Sequence, residues 1–203
     1  MINLYQQFVA RLHLFDGLPL LLLRLYLAPI IIQAGWNKAS SFESTVDWFG
    51  NEDYGLGLPL PFLMALLATG AELIGGVFIL FGAMTRLASI PLMITMLVAM
   101  VSVHAKHGWL AIADASSWLA DGAIFYNQSI MEAPQKLAAA KSLLQEHGHY
   151  DWLTSSGNLV VLNNGMEFAA TYFIMFLVLF IYGGGRFLSV DYFMSQWLLF
   201  KKR

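Results

Sequence analysis

Four stretches of this chain are each apolar enough, over enough residues, to cross a lipid bilayer: residues 18–39, 59–82, 87–109 and 163–182. A span needs about 20 apolar residues to traverse a hydrocarbon core of ~30 Å. With no water in that core, each segment must satisfy its backbone hydrogen bonds internally, which leaves the helix as the form for runs of this length. The expectation is an all-α, integral membrane four-helix bundle forming one membrane domain over residues 1–203, with the bilayer as its first partner. Composition agrees, since 58% of the residues are hydrophobic and 12% charged, and the mean hydropathy is +0.63. A soluble domain carries about twice that charged fraction. The first stretch has a polar N-terminal flank and is followed by three more, so it reads as a span and not as a cleaved leader.

Local signals punctuate the spans. Pro59 and Pro61 open the second, where a missing N–H does no harm, and Met84 and Thr85 leave room only for a tight turn, so the second and third spans are antiparallel neighbours. Gly183, Gly184 and Gly185 close the fourth, and Pro29 and Pro91 fall within spans as potential kinks. Residues 2–15 read as an amphipathic helix with Leu4, Phe8, Leu12 and Phe15 on one stripe, lying in the inner interface. The long insertion at 110–162 has a helix predicted to open at Pro134 and to end at Gly148.

Charge sets the orientation. Arg11, Arg86, Arg186, Lys201, Lys202 and Arg203 fall on one side. Lys38, Lys106, Lys136 and Lys141 fall on the other, together with nine acids in the loops 40–58 and 110–162. The positive-inside rule then places both termini in the cytoplasm, in a bacterial inner membrane, with the insertion external. Tryptophans 36, 48, 109, 118 and 152 gather on the outer half, as an interfacial belt does. The net charge of −2 points to no nucleic acid partner. With no cysteine in the chain, thiol chemistry and iron–sulfur ligation by its own residues are excluded. A redox role must run through a cofactor, a quinone or a membrane or periplasmic protein partner.

The polar residues inside the spans are costly and so are functional candidates. Counting 1.5 Å per residue from Leu18 and Pro59 puts Arg24 and Glu72 both about 10 Å from the inner face, and an ion pair between them is expected. The alternative is that the pair only staples helices together. A second polar layer, Lys38, His104 and Glu167, lies near the outer face and is the expected proton-handling site. Trp36 and Trp109 would line a quinone cleft there, since quinone reduction needs a proton donor near the carbonyl. A rival reading uses Met93, Met96, Met100, His104 and His107, which fall within about 80° of helical arc. Thioether and imidazole ligands suit copper, although Met also fills irregular helix interfaces.

The run "GWNK", the run "AELIGGVFILFGAMTRLAS", His104, and "GMEFAATYFIMFLVLFIYGGGRFLSVD" together resemble the DoxX family of small four-span membrane proteins. The resemblance extends over about residues 18–193 and carries the family pattern onto Gly35, Lys38, Glu72, Gly75, Gly76, Gly82, Arg86, His104, Gly165, Glu167, Gly183, Gly185, Ser189 and Asp191. The chain departs from shorter members in its insertion at about 110–160. The resemblance implies a membrane subunit of a quinone-linked oxidoreductase or redox and detoxification complex, as in the thiosulfate:quinone oxidoreductase to which some members belong. Metal handling and a non-catalytic scaffold are the alternatives.

Overall fold

The computed structural model describes residues 2–201. The Leu4 and Lys201 side chains, and Lys202 and Arg203, which entered the stripe and orientation arguments, lie outside what is described. In chain order the helices are α1 (Ile2–Leu12), α2 (Gly17–Ser40), α3 (Phe42–Gly50), α4 (Pro61–Phe81), α5 (Thr85–Val98), α6 (Gln128–His147), α7 (Tyr150–Leu153), α8 (Glu167–Tyr182) and α9 (Val190–Lys201). A 3₁₀ turn, His13–Phe15, joins α1 to α2. A wide π turn, Ala99–His104, followed by a 3₁₀ turn, Ala105–His107, continues α5. The described residues contain no strand, only two isolated bridges.

Three continuous helical runs are long and apolar enough to span: Tyr5–Ser40, Pro61–Phe81 and Thr85–His107. The fourth apolar helix, Glu167–Tyr182, is shorter than the expected 163–182 at 16 residues, or about 24 Å. Its first expected turn is lost because the amides of Asn163, Gly165 and Met166 bond to carbonyls of Ala111, Leu110 and Gly108. The chain is a multi-pass membrane protein. It divides into two compact units, residues 1–98 with 171–203, and residues 99–170.

The first unit holds the spanning core. Leu27, Ala28 and Ile31 of α2 cluster with Ile79, Leu92, Phe176 and Leu179 of α4, α5 and α8. The opposite surfaces stay apolar, with Leu22, Leu25, Leu67, Ile74 and Ile94 all exposed. A surface of that kind is what lipid solvates and water would not. Glycines set the α2–α4 crossing. A Cβ on Gly35 would lie 2.9 Å from the Glu72 Cβ and the Leu73 amide nitrogen, and one on Gly76 would lie 2.7 Å from Ile32. Without side chains at those points the two backbones approach closely. Facing residues on the antiparallel pair thus have numbers summing to about 107, from Gly35 with Glu72 to Arg24 with Gly82. The α4–α5 turn needs left-handed backbone at Gly82 (φ 60°) and Met84 (φ 46°).

In the second unit α6 begins six residues before the expected Pro134, because Asn127 caps it: its side chain accepts from the Ile130 amide. Pro134 is accommodated inside the helix, and Gly148 ends it as expected. The stretches 108–113 and 161–167 run side by side, and Gly165 permits this. A Cβ there would sit 2.4 Å from the Leu110 carbonyl oxygen.

Candidate functional site

Two polar centres occupy the spanning unit, and their partners differ from the expected ones. Lys38 Nζ lies 2.7 Å from Glu72 Oε2. Glu72 is buried, while the Lys38 side chain keeps 27% of its surface exposed. The expected Arg24–Glu72 pair does not form. With Gly35 facing Glu72, the Arg24 Cα lies eleven residues further along α2, roughly 16 Å along the axis. Side chains also lean toward the N-terminus of their own helix, so on antiparallel helices the Arg24 and Glu72 heads diverge. The Lys38 and Glu72 heads converge for the same reason.

Arg24 is fully buried at the other end of the same crossing. Its Nη2 donates to the carbonyls of Leu188 (2.9 Å) and Phe187 (3.3 Å). The segment it holds wraps the α4–α5 turn. Ser189 Oγ donates to the Gly82 carbonyl at 3.1 Å, and the Asp191 amide donates to the same oxygen at 2.9 Å. The Asp191 carboxylate accepts from the Met84 amide at 2.6 Å and the Thr85 amide at 2.8 Å, capping the start of α5. Sequence reading did not assign this clamp. Its signal was present in "GGGRFLSVD", where a serine and an aspartate follow a helix-ending glycine run.

Two further expected site residues, His104 and Glu167, lie in the second unit and bind backbone. His104 Nδ1 is 2.8 Å from the Asn164 carbonyl oxygen. A carbonyl only accepts, so Nδ1 carries the proton and Nε2 is left to take one up. Glu167 Oε2 accepts from the Ala111 amide at 2.9 Å. Both therefore pin the seam that begins and ends the insertion. Lys38 belongs to the spanning unit and is held by Glu72. Trp36 of the spanning unit is exposed, and Trp109 belongs to the second unit.

Of the copper set, Met96 is buried in the core cluster and Met93 packs against it. The π turn at Ala99–His104 also changes the angular step between Met96 and His104, so the arc computed for a regular helix does not hold across it. Among the described residues, no group of three His, Asp or Glu is arranged to hold a metal ion.

Comparison with known proteins places this geometry. The DoxX family model matches residues 19–105, a segment that contains Arg24, Gly35, Lys38, Glu72 and His104 but not Glu167. A Bacillus subtilis (strain 168) protein named "Putative oxidoreductase CatD" is 32% identical over 94 residues, which cover 46% of this chain and 66% of that protein. The chain thus spans just under two thirds of the length of that relative. No solved structure matches. From the first turns of α2 through the third spanning run, the chain is similar to the DoxX family.

Proposed function

We propose that this is the membrane subunit of a redox assembly acting on a quinone-class carrier, with Lys38 and Glu72 as its proton-handling pair. One observation carries the reading: a buried carboxylate in 2.7 Å contact with a lysine that retains a path to the surface, inside the segment shared with the family. The relative's printed name supports a redox role. Reduction of a quinone takes two electrons and two protons. The electrons come from a membrane or periplasmic protein partner. An ammonium bonded to a carboxylate can pass one proton to a developing quinone oxyanion and be reprotonated through its exposed end. In the second unit, His104, whose Nδ1 bonds the Asn164 carbonyl, is a separate proton-handling candidate, and Glu167 fixes the backbone beside it. Trp36 is the aromatic candidate for contact with the quinone ring. In the cell the chain lies in a bacterial inner membrane with both termini cytoplasmic.

The test uses the assembly isolated in mild detergent and a water-soluble quinone analogue. Lys38→Met and Glu72→Gln should each lower quinone turnover at least tenfold at unchanged partner content. Full turnover in both variants would leave the pair a helix staple and remove the proposed role. For orientation, a cysteine at Ser142 should react with an impermeant thiol reagent in intact spheroplasts and one at Ser195 should not, and the reverse pattern would invert the topology.

A further inference from the structure

A second site lies at the opposite end of the α2–α4 crossing from Lys38, wholly within the spanning unit. A cavity of about 520 Å³ opens at the α4–α5 turn, and Thr85, Arg86, Gly183, Gly184, Asp191 and Tyr192 are among its walls. Behind Gly184 stand donors with nothing to bond. Arg24 Nε and Nη1 and Thr85 Oγ1 are buried and have no hydrogen-bond partner among the described residues. Two of them lie against the glycine: the point where a Gly184 Cβ would sit is 2.8 Å from Thr85 Oγ1 and 3.3 Å from Arg24 Nη1, beside Ser189 Oγ at 2.6 Å. Gly184, which has no side chain, is shared between the wall of the cavity and the surroundings of these donors.

Charge decides the class of ligand. Arg24 sits behind the wall, and Arg86 lies at the exposed rim with its Nε 3.4 Å from the Cβ position of Gly183. The one carboxylate in the wall, Asp191, is already engaged by two backbone amides. Two guanidiniums against one committed carboxylate leave a net positive site. A buried cation with only carbonyl partners is stabilised by an anion brought near it. Guanidinium matches phosphate geometry better than any other side chain does.

Shape decides the source of the phosphate. A second, apolar groove of about 240 Å³ runs along α4 and α5, lined by Gly70, Ile74, Gly75 and Phe78 and sharing Met84 and Leu87 with the cavity. No atom lies within 4 Å of where a Gly70 Cβ would be, and Leu87 is 56% exposed. A pocket with net positive charge, continuous with an apolar furrow on a lipid-facing surface, fits an amphiphile, not a free ion. We propose that this end of the bundle binds an anionic phospholipid, its phosphate on the Gly183–Gly184 wall beside Arg86 and an acyl chain in the α4–α5 groove. The site does not depend on the redox reading.

Native mass spectrometry of the delipidated protein in detergent tests this, with added phosphatidylglycerol, phosphatidylcholine, inorganic phosphate and ubiquinone as probes. Phosphatidylglycerol should bind at least fivefold more tightly than phosphatidylcholine and raise the unfolding temperature. Arg86→Gln, an exposed change that should leave the lipid-free unfolding temperature unaltered, should remove that preference. Gly184→Ala should do so by crowding Ser189 Oγ, Thr85 Oγ1 and Arg24 Nη1, and Gly70→Leu should weaken the lipid without affecting any phosphate binding. Equal retention of the two lipids, an unchanged preference in Arg86→Gln, displacement of the lipid by millimolar inorganic phosphate, or preferential retention of ubiquinone would each overturn the proposal.

Discussion

Helix α2 buries two cations fourteen residues apart and treats them in opposite ways. Lys38 meets a full counter-charge, Glu72, and keeps part of its own surface exposed. Arg24 is completely enclosed and meets two carbonyl oxygens, with the nearby carboxylate of Asp191 spent on the start of α5. The first arrangement is a neutral pair whose proton can move. The second is a fixed positive charge that organises backbone. Removing one partner of a buried pair strands a charge in a medium where each ion costs several kcal/mol. Removing a cation from carbonyls strands only dipoles, at about 1–3 kcal/mol each. One helix therefore carries a charge-paired end and a backbone-held end.

The largest way to break this contrast is to separate the helices. Gly35→Leu should destabilise the bundle by about 3 kcal/mol, because the added side chain meets Glu72 and the Leu73 backbone, and thermal unfolding in detergent would show it. An unchanged unfolding temperature would mean that the crossing is not held at Gly35. Glu72→Gln comes next, at roughly 2 kcal/mol, and adding Lys38→Met should recover at least half of that. Strict additivity of the two changes would dissolve the pair. Asp191→Ala should cost about 1 kcal/mol through two uncapped amides, with faster hydrogen exchange at Met84 and Thr85 as its signature.

Smaller still is the coupling between Arg24 and Glu72. A double-replacement cycle should give no more than about 0.5 kcal/mol, as for residues that do not touch, and a larger value would restore the ion pair that the geometry separates. The smallest effect calibrates burial with an exposed carboxylate. Asp114 is held below its ordinary value by hydrogen bonds from the Ser116 hydroxyl and amide. A lowered carboxylate contributes stability that is present above its unfolded pKa and lost as pH falls through the folded one. The difference between the native chain and Asp114→Asn should thus be constant near neutrality and shrink below the usual aspartate range. A pH-independent difference would remove the charge from that account.

The spans and the α4–α5 turn were legible because hydrophobic length and a two-residue gap depend on little else. The pairing of charges was not. Depth counted from hydropathy edges ignores that the α2–α4 alignment is fixed by glycines, and that side chains on opposed helices lean apart or together. The start of α6 was obscured because Pro134 is a strong first-turn signal while Asn127 is a common loop residue. Residues 163–166 read as span because they precede an apolar run, yet their amides are claimed by 108–111. His104 and Glu167 lie at the ends of helical runs. Their backbone partners come from the far side of a long insertion, which no local pattern reveals.

The constant sum of about 107 across α2 and α4 also limits how such a chain can change its length. Deleting or inserting one residue between Arg24 and Gly35, or between Glu72 and Gly82, would turn every later contact by about 100°. It would point Lys38 or Arg24 into lipid in a single step. Length changes should be tolerated only where this ledger of facing residues has closed, such as the segment between Ser41 and Pro59 or the stretch after His107. The long segment of this chain that begins after His107 lies beyond the last such contact, as though the crossing were a zip that accepts new cloth only past its last tooth.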